Sequence, residues 1–236
     1  MGKIENLDFK KNTLRKINNY LQNISYKNNK REFTVKNPSG HHAICAGLTE
    51  NISVKINGHV GYYCGGMNQK AHITINGNAG TGLGENMMSG LIHVKGNASQ
   101  SAGATAHGGT IIIDGDTSSR CGISMKGIDI IVKGSVGHMS GFMAQSGTML
   151  ICGDAGEALG DSIYETVIYL AGKPKSLGVD CVEKKINKKD LKKIEDLLKT
   201  GKIKNLKVKH FKKFGSQRKL YLSLIHISEP TRLGMM

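Results

Sequence analysis

The chain of 236 residues has no tryptophan, only three prolines, and 5% aromatic residues. So few large rings exclude a wide core built on aromatic packing. Scarce proline, and glycines that keep no three-residue period, exclude a collagen-like rod. No run of about 18 uncharged apolar residues occurs, so no membrane-spanning helix is expected. Met1 to Lys16 is polar and lacks an apolar stretch, so no signal peptide is expected there. Five cysteines, an odd number without a CxxC pair, fit a reducing cytoplasm better than a disulfide framework. A hydrophobic content of 39%, much of it β-branched, argues against bulk disorder.

The net charge of +15 raises the question of a nucleic-acid partner, and its distribution answers it. Residues 1–51 carry nine Lys/Arg against four Asp/Glu, and residues 52–172 carry six against eight. Residues 173–236 carry eighteen against six. The middle of the chain is therefore mildly acidic, and the positive charge belongs to the flanks. A lysine-rich solvated helix explains such a flank, so neither a nucleic-acid nor a membrane partner is expected.

What is abundant is glycine, with 31 residues, and it is periodic. Gly58, Gly77, Gly96, Gly115, Gly134, Gly153 and Gly172 stand 19 residues apart without slippage. Gly65, Gly84, Gly103, Gly122, Gly141 and Gly160 form a second column with the same step. Before each first-column glycine come two alternating aliphatic positions, from Val54/Ile56 and Ile73/Ile75 to Met149/Ile151 and Ile168/Leu170. Alternation of this kind marks a strand with one buried face. One short strand per repeat cannot bury that face alone, whereas stacked coils pair each strand in parallel with its copy. The expected fold is all-β: a single-stranded β-helix, or β-solenoid, of about seven coils of 19 residues. The split of glycine columns disfavours the left-handed form with its six-residue period.

The expected organisation is an N-terminal helical and cap segment (1–51), the β-helix (52–182), and a basic helical C-terminal segment (183–221). Leu14, Ile17, Leu21 and Ile24 follow helical spacing. So do Leu191, Ile194, Leu197 and Leu198, with Asn187 placed as N-cap and Gly201 as C-cap. A solenoid leaves unpaired strand edges at both ends, and these helical flanks are expected to cover them or to dock partners. Residues 222–236 are set aside. Leu222 to Arg232 reads LSLIHISEPTR and closely resembles the in-frame translation of a transposase adapter used in sequencing libraries. The genuine C-terminal sequence beyond Tyr221 is then expected to be missing.

No catalytic, cofactor-binding or metal-binding residues are expected on this chain. GTGLG at Gly80, Gly82 and Gly84 has the look of a phosphate loop, yet it does not open a helix and falls into the repeat's own corners. Cys64 and Cys121 share a column three coils apart, roughly 14 Å, too far for a disulfide. His59, His72, His93, His107 and His138 occupy unlike positions in the repeat, without metal-ligand spacing. Asp161 and Glu165 near Tyr164 fit a surface turn as readily as a site. Asp114, Asp116, Asp129 and Asp154 make no carboxylate pair of the kind a polysaccharide-cleaving solenoid would need.

The second half of each coil is richer than a bare solenoid requires. It holds Tyr62, Tyr63, Met67, Asn68, Asn86, Met87, Met88, Gln100, His107, Arg120, Met125, Met139, Met143 and Gln145. Some of the methionines are expected inside the coil. The rest would form a methionine- and tyrosine-bearing face suited to protein contacts.

GHVGYYCGGMNQ, GENMMSG, ASQSAGATAHGG, RCGISMKG, GSVGHMSGFMAQSG, CGDAGEALGDSIYE and SLGVDC together resemble the GXGXG domain of glutamate synthase. The nearest variety is its stand-alone subunit in complexes of the glutamate or N-methylglutamate synthase type. The resemblance covers about Arg31 to Tyr221. It implies a right-handed, non-catalytic β-helix in a cytoplasmic oxidoreductase complex of glutamate metabolism. Its partners would be a glutamine amidotransferase subunit and an FMN-binding synthase subunit, with ammonia passing between them. FMN and the iron–sulfur cluster would belong to the synthase subunit. A similar GXGXG subunit serves formylmethanofuran dehydrogenase, and that is the alternative.

Overall fold

The computed structural model describes residues 7–24 and 31–218. The adapter-like segment and Tyr221 lie outside the described residues. All seven expected aliphatic pairs sit on strands: β3 (Ser53–Asn57), β4 (His72–Asn76), β5 (Leu91–Val94), β6 (Thr110–Ile113), β7 (Lys126–Val132), β8 (Ser146–Ile151) and β9 (Val167–Leu170). Each pairs in parallel with the next, so that Ile56, Ile75, Val94, Ile113, Val132, Ile151 and Leu170 lie in one register column. Those seven side chains are fully buried inside the coil. The fold is a β-solenoid, as the 19-residue step requires.

The ladder also reaches back before Ile52. β2 (Glu32–Lys36) pairs in parallel with β3, and the short β1 (Leu7–Asp8) pairs with β2. Val35 lies on Ile56, so this coil spans 21 residues instead of 19. A narrower second ladder joins Val60, Ala79, Ala98 and Thr117, and then Val136, Ala155 and Pro174, through isolated parallel bridges.

The two glycine columns answer different physical needs. At Gly77 a Cβ would stand 2.6 Å from the carbonyl of Gly58 in the coil below, so close approach of two backbones excludes any side chain. Gly103 instead has φ +71, and a Cβ there would also meet Ile130 Cδ1 at 2.6 Å. The residue after each first-column glycine stitches the coils together. Asn78 Oδ1 accepts the Asn97 amide at 2.9 Å, Asn97 Oδ1 that of Asp116, and Asp116 Oδ1 that of Ser135. Ser135 Oγ and Asp154 Oδ1 carry the ladder on to Asp154 and Lys173. Each side chain satisfies a backbone donor at a corner that no sheet hydrogen bond can reach.

α1 (Leu14–Gln22) closes one end of the stack, as expected of a flanking helix. Thr13 caps its start, and Ile17 and Leu21 plug the coil interior. Asn18 donates to the Ala43 carbonyl at 2.7 Å and accepts the Cys45 amide at 2.9 Å, while Gln22 donates to Ala46. These side chains hydrogen-bond backbone of the first coil's loop, beside the open end of the stack.

The other end differs from expectation. β11 (Lys212–Ser216) caps β9 in antiparallel fashion and β10 (Cys181–Lys184) pairs on β11, so strands rather than a helix cover that edge. α2 (Lys188–Thr200), with Asn187 in a capping box with Asp190, lies on the outward face of the sheet. Ile194, Leu197 and Leu198 bury there against Ile112, Ile131, Leu150 and Tyr169. The cause is a change in the outward column, which runs Lys55, Thr74, His93 and then Ile112, Ile131, Leu150, Tyr169. Four apolar side chains in a row need a cover, and burying each contributes about 1.5–3 kcal/mol.

Candidate functional site

The part of each coil around the second glycine column has an unusual backbone. In the coil of Gly65, Tyr63 (φ 58), Gly65 (φ 66) and Met67 (φ 56) are all left-handed, and the same triple recurs at 101, 103 and 105 and at 139, 141 and 143. Hydrogen bonds then alternate between the coils above and below: the Tyr63 amide donates to Thr81, Gly65 to Ile44 and Met67 to Glu85. This stacking fixes the loop backbone, and side chains at the flanking left-handed positions stand on a rigid base.

Two of the largest exposed side chains sit there. Tyr62 and Tyr63 are 50% and 49% exposed, with Met67 on the same coil at 56% and Met88 on the next at 49%. The tyrosines are seated rather than loose. A Cβ at Gly80 would stand 2.9 Å from Tyr62 Cδ1, and one at Gly82 would stand 2.5 Å from Tyr63 Cδ1. Gly80 and Gly82 of GTGLG are therefore the shelf on which both rings lie, while Gly84 faces Ile111 in the core. His42, from the coil below, stacks on Tyr62 with ring centroids 4.5 Å apart and 17° between planes. Its Nδ1 accepts the Tyr62 amide at 2.9 Å, which fixes the ring and places any proton of a neutral imidazole on Nε2. The Tyr62 and Tyr63 rings meet edge-on at 6.4 Å.

The expected face is thus real but divided. Met87 and Met125 are fully buried, and Asn68 is buried as a turn-closing residue that holds Ala71 through both its amide and its carbonyl. Asn86, Gln100, His107 and Arg120 are exposed, Met139 and Gln145 are half-buried, and Met143 is 41% exposed. Met143 lies four coils above Met67, roughly 19 Å along the stack, with the polar Asn86, Thr105 and Ser124 between them in the same column. His42 was missed because it precedes the first glycine of the repeat and carries no periodic signal.

Most of the other candidate residues have partners within the coils. Cys64 and Cys121 are buried, and burial pushes both thiols up to about 12; burial raises Cys45 as well. His59 Nδ1 accepts the Asn78 amide, at the start of the corner ladder that also holds Asp116 and Asp154. His72, His107 and His138 are exposed. Asp129 pairs with Lys193 of α2 at 2.8 Å. Asp161 accepts the Ser162 hydroxyl and the Val179 amide in a turn, next to half-buried Tyr164 and exposed Glu165. Asp114 meets Lys133 at 2.8 Å, His93 at 2.9 Å and Lys95 at 3.4 Å. Burial works against its charge, but hydrogen bonds from Lys133 and His93 prevail and hold the carboxyl at about 2. Among the described residues, no three His, Cys, Asp or Glu side chains come together as a metal site. No described helix is long and apolar enough to cross a membrane.

These features define a glycine-column β-solenoid with a preformed aromatic and methionine patch at one end of its loop face. The chain belongs to the GXGXG motif family, whose model matches residues 11–225. It is similar to Protein GlxC of Rhizobium meliloti (strain 1021), at 49% identity over 215 residues that make up 91% of this chain and 94% of that protein.

Proposed function

We propose that the chain is a non-catalytic structural subunit of a glutamate-synthase-like complex that makes glutamate or N-methylglutamate. In this reading it braces a glutamine amidotransferase subunit and an FMN/iron–sulfur synthase subunit in the cytoplasm. The family match over residues 11–225 supports the class of complex, and the observation that carries the docking role is the Tyr62–Tyr63–His42 cluster seated on Gly80 and Gly82. Exposed aromatic rings already fixed in place lose little side-chain entropy on docking, which is the character of interface anchors. The solenoid contributes rigidity: coils locked by corner and loop ladders hold two bound subunits at a constant separation. Ammonia released by one then reaches the other at high effective concentration instead of escaping to water. FMN and the iron–sulfur cluster would be held by the synthase subunit, and their chemistry takes place there.

The test is to purify the chain alone and assay glutamine hydrolysis and amino-acid formation. The reading expects neither activity until both partner subunits are added. Appreciable turnover by the isolated chain would overturn it.

A further inference from the structure

A second surface, of opposite chemistry, lies at the end of α2. Gly201 closes the helix, Lys202 turns the chain with φ +54, and the Ile203 amide donates back to Leu198 at 2.9 Å. The chain then runs beside the helix and leaves a groove of about 810 Å³. Its floor is apolar, formed by Leu198, Ile203 and Val208. Around the rim stand Lys199, Lys202, Lys204, Lys207 and Lys209, all exposed, with Glu195 as the single acid among the lining residues.

We propose that this groove takes an acidic amphipathic segment of a partner protein, its apolar side chains on Leu198, Ile203 and Val208 and its carboxylates facing the lysines. The proposal rests on the reading of the chain as a docking subunit and adds a second contact to it. Charge complementarity selects the occupant. Five ammonium groups around one apolar trough repel one another, and an anionic partner removes that cost while covering the floor. Nucleic acid fits less well, since its phosphates could use the rim but nothing would fill the apolar floor. The lining residues include no aromatic ring on which bases could stack. A flat anionic bilayer would meet the lysines and leave the recessed floor uncovered. The mildly acidic coils and the Tyr62–Tyr63 patch offer no such field, so the two surfaces select different partner segments.

The experiment uses the full chain and a fluorescein-labelled helix of ~16 residues, with Leu at i, i+3, i+4 and i+7 and Glu elsewhere. Controls are a scrambled peptide of the same composition and phosphatidylserine vesicles. The ordered peptide is expected to bind roughly tenfold tighter than the scrambled one, and to weaken severalfold from about 50 to 300 mM salt. The exposed-site variant K202E/K204E/K207E is expected to lose roughly tenfold or more in affinity with unchanged circular dichroism and melting. Equal binding of both peptides, indifference to charge reversal, or preference for vesicles would each overturn the proposal. So would tighter binding after removal of residues 219–236, which would assign the groove to the chain's own tail. No partner subunit enters this assay. Its failure therefore leaves the bracing role standing, and a complex that fails to form leaves the peptide result standing.

Discussion

Tyr169 donates its hydroxyl to Asp190 Oδ1 at 2.7 Å, tying the outward column of the last parallel strand to the first turn of α2. The same carboxylate meets Lys213 of β11 at 2.8 Å and accepts the Asn187 amide at 2.8 Å. One acid thus joins β9, β11 and α2. Burial would raise the Asp190 carboxyl, but hydrogen bonds from Lys213, Asn187 and Tyr169 together hold it below its ordinary value. Removing the carboxylate leaves the largely buried Lys213 ammonium without its partner. Asp190→Ala is expected to cost about 2–4 kcal/mol, and Tyr169→Phe about 1–2 kcal/mol, in guanidinium unfolding.

Asp114 predicts an acid-dependent component of stability. Its carboxyl lies at about 2 in the folded chain against 3.8 ordinarily. A depressed pKa contributes stability that is fully present above the unfolded value and is lost as pH falls through the folded one. The window therefore runs from about pH 4 down to about pH 2. Asp114→Asn is expected to be less stable than the parent at pH 7, with the gap closing as pH approaches 2. A gap that stays constant from pH 7 to pH 2 in denaturant titrations would contradict the assignment.

The left-handed loop positions make paired predictions of opposite sign. Gly103→Ala adds a Cβ at φ +71 against Ile130 and is expected to destabilise by about 1–3 kcal/mol. Ser101, two residues earlier, already has φ +58 with a side chain. Ser101→Gly is expected to stabilise by about 0.5–1 kcal/mol, read as a rise in melting temperature.

The coil count from β3 to β9 was legible because the inward aliphatics and both glycine columns repeat at one step. β2 was hidden by physics rather than by noise. Its coil has 21 residues, and Cys45, with φ +59, stands where later coils have the Gly65-column glycine. The place of α2 was written in the sequence but in another column: Ile112, Ile131, Leu150 and Tyr169 repeat every 19 residues on the outward face. Attention to the inward column alone leaves α2 without a surface to cover. β11 has no such signal, because an antiparallel cap repeats nothing. Of the candidate surface, the tyrosines and methionines were visible, whereas the split into buried Met87 and Met125 and exposed Met67, Met88 and Met143 depends on loop geometry that periodicity does not encode.

The aromatic patch is expected to matter for assembly and not for folding. Tyr62→Asp/Tyr63→Asp keeps a side chain at left-handed position 63 and removes two half-exposed rings that sit outside the coil interior. Its melting temperature is expected to stay within a few degrees of the parent, while co-purification with the proposed amidotransferase and synthase partners falls roughly tenfold or more. Gly82→Val would displace the Tyr63 ring but also puts a β-branched residue at φ +72, so it is expected to lower the melting temperature as well as weaken assembly, which makes the tyrosine variant the cleaner test. Retention of both partners by the tyrosine variant would move the interface elsewhere.

The proposed bracing role is tested most directly by combining this chain with the proposed amidotransferase and synthase subunits and measuring product formed from glutamine and, separately, from added ammonium. With this chain omitted, the account predicts that glutamine-driven synthesis collapses while ammonium-driven synthesis by the synthase subunit persists. Equal glutamine-driven rates with and without the chain would contradict it.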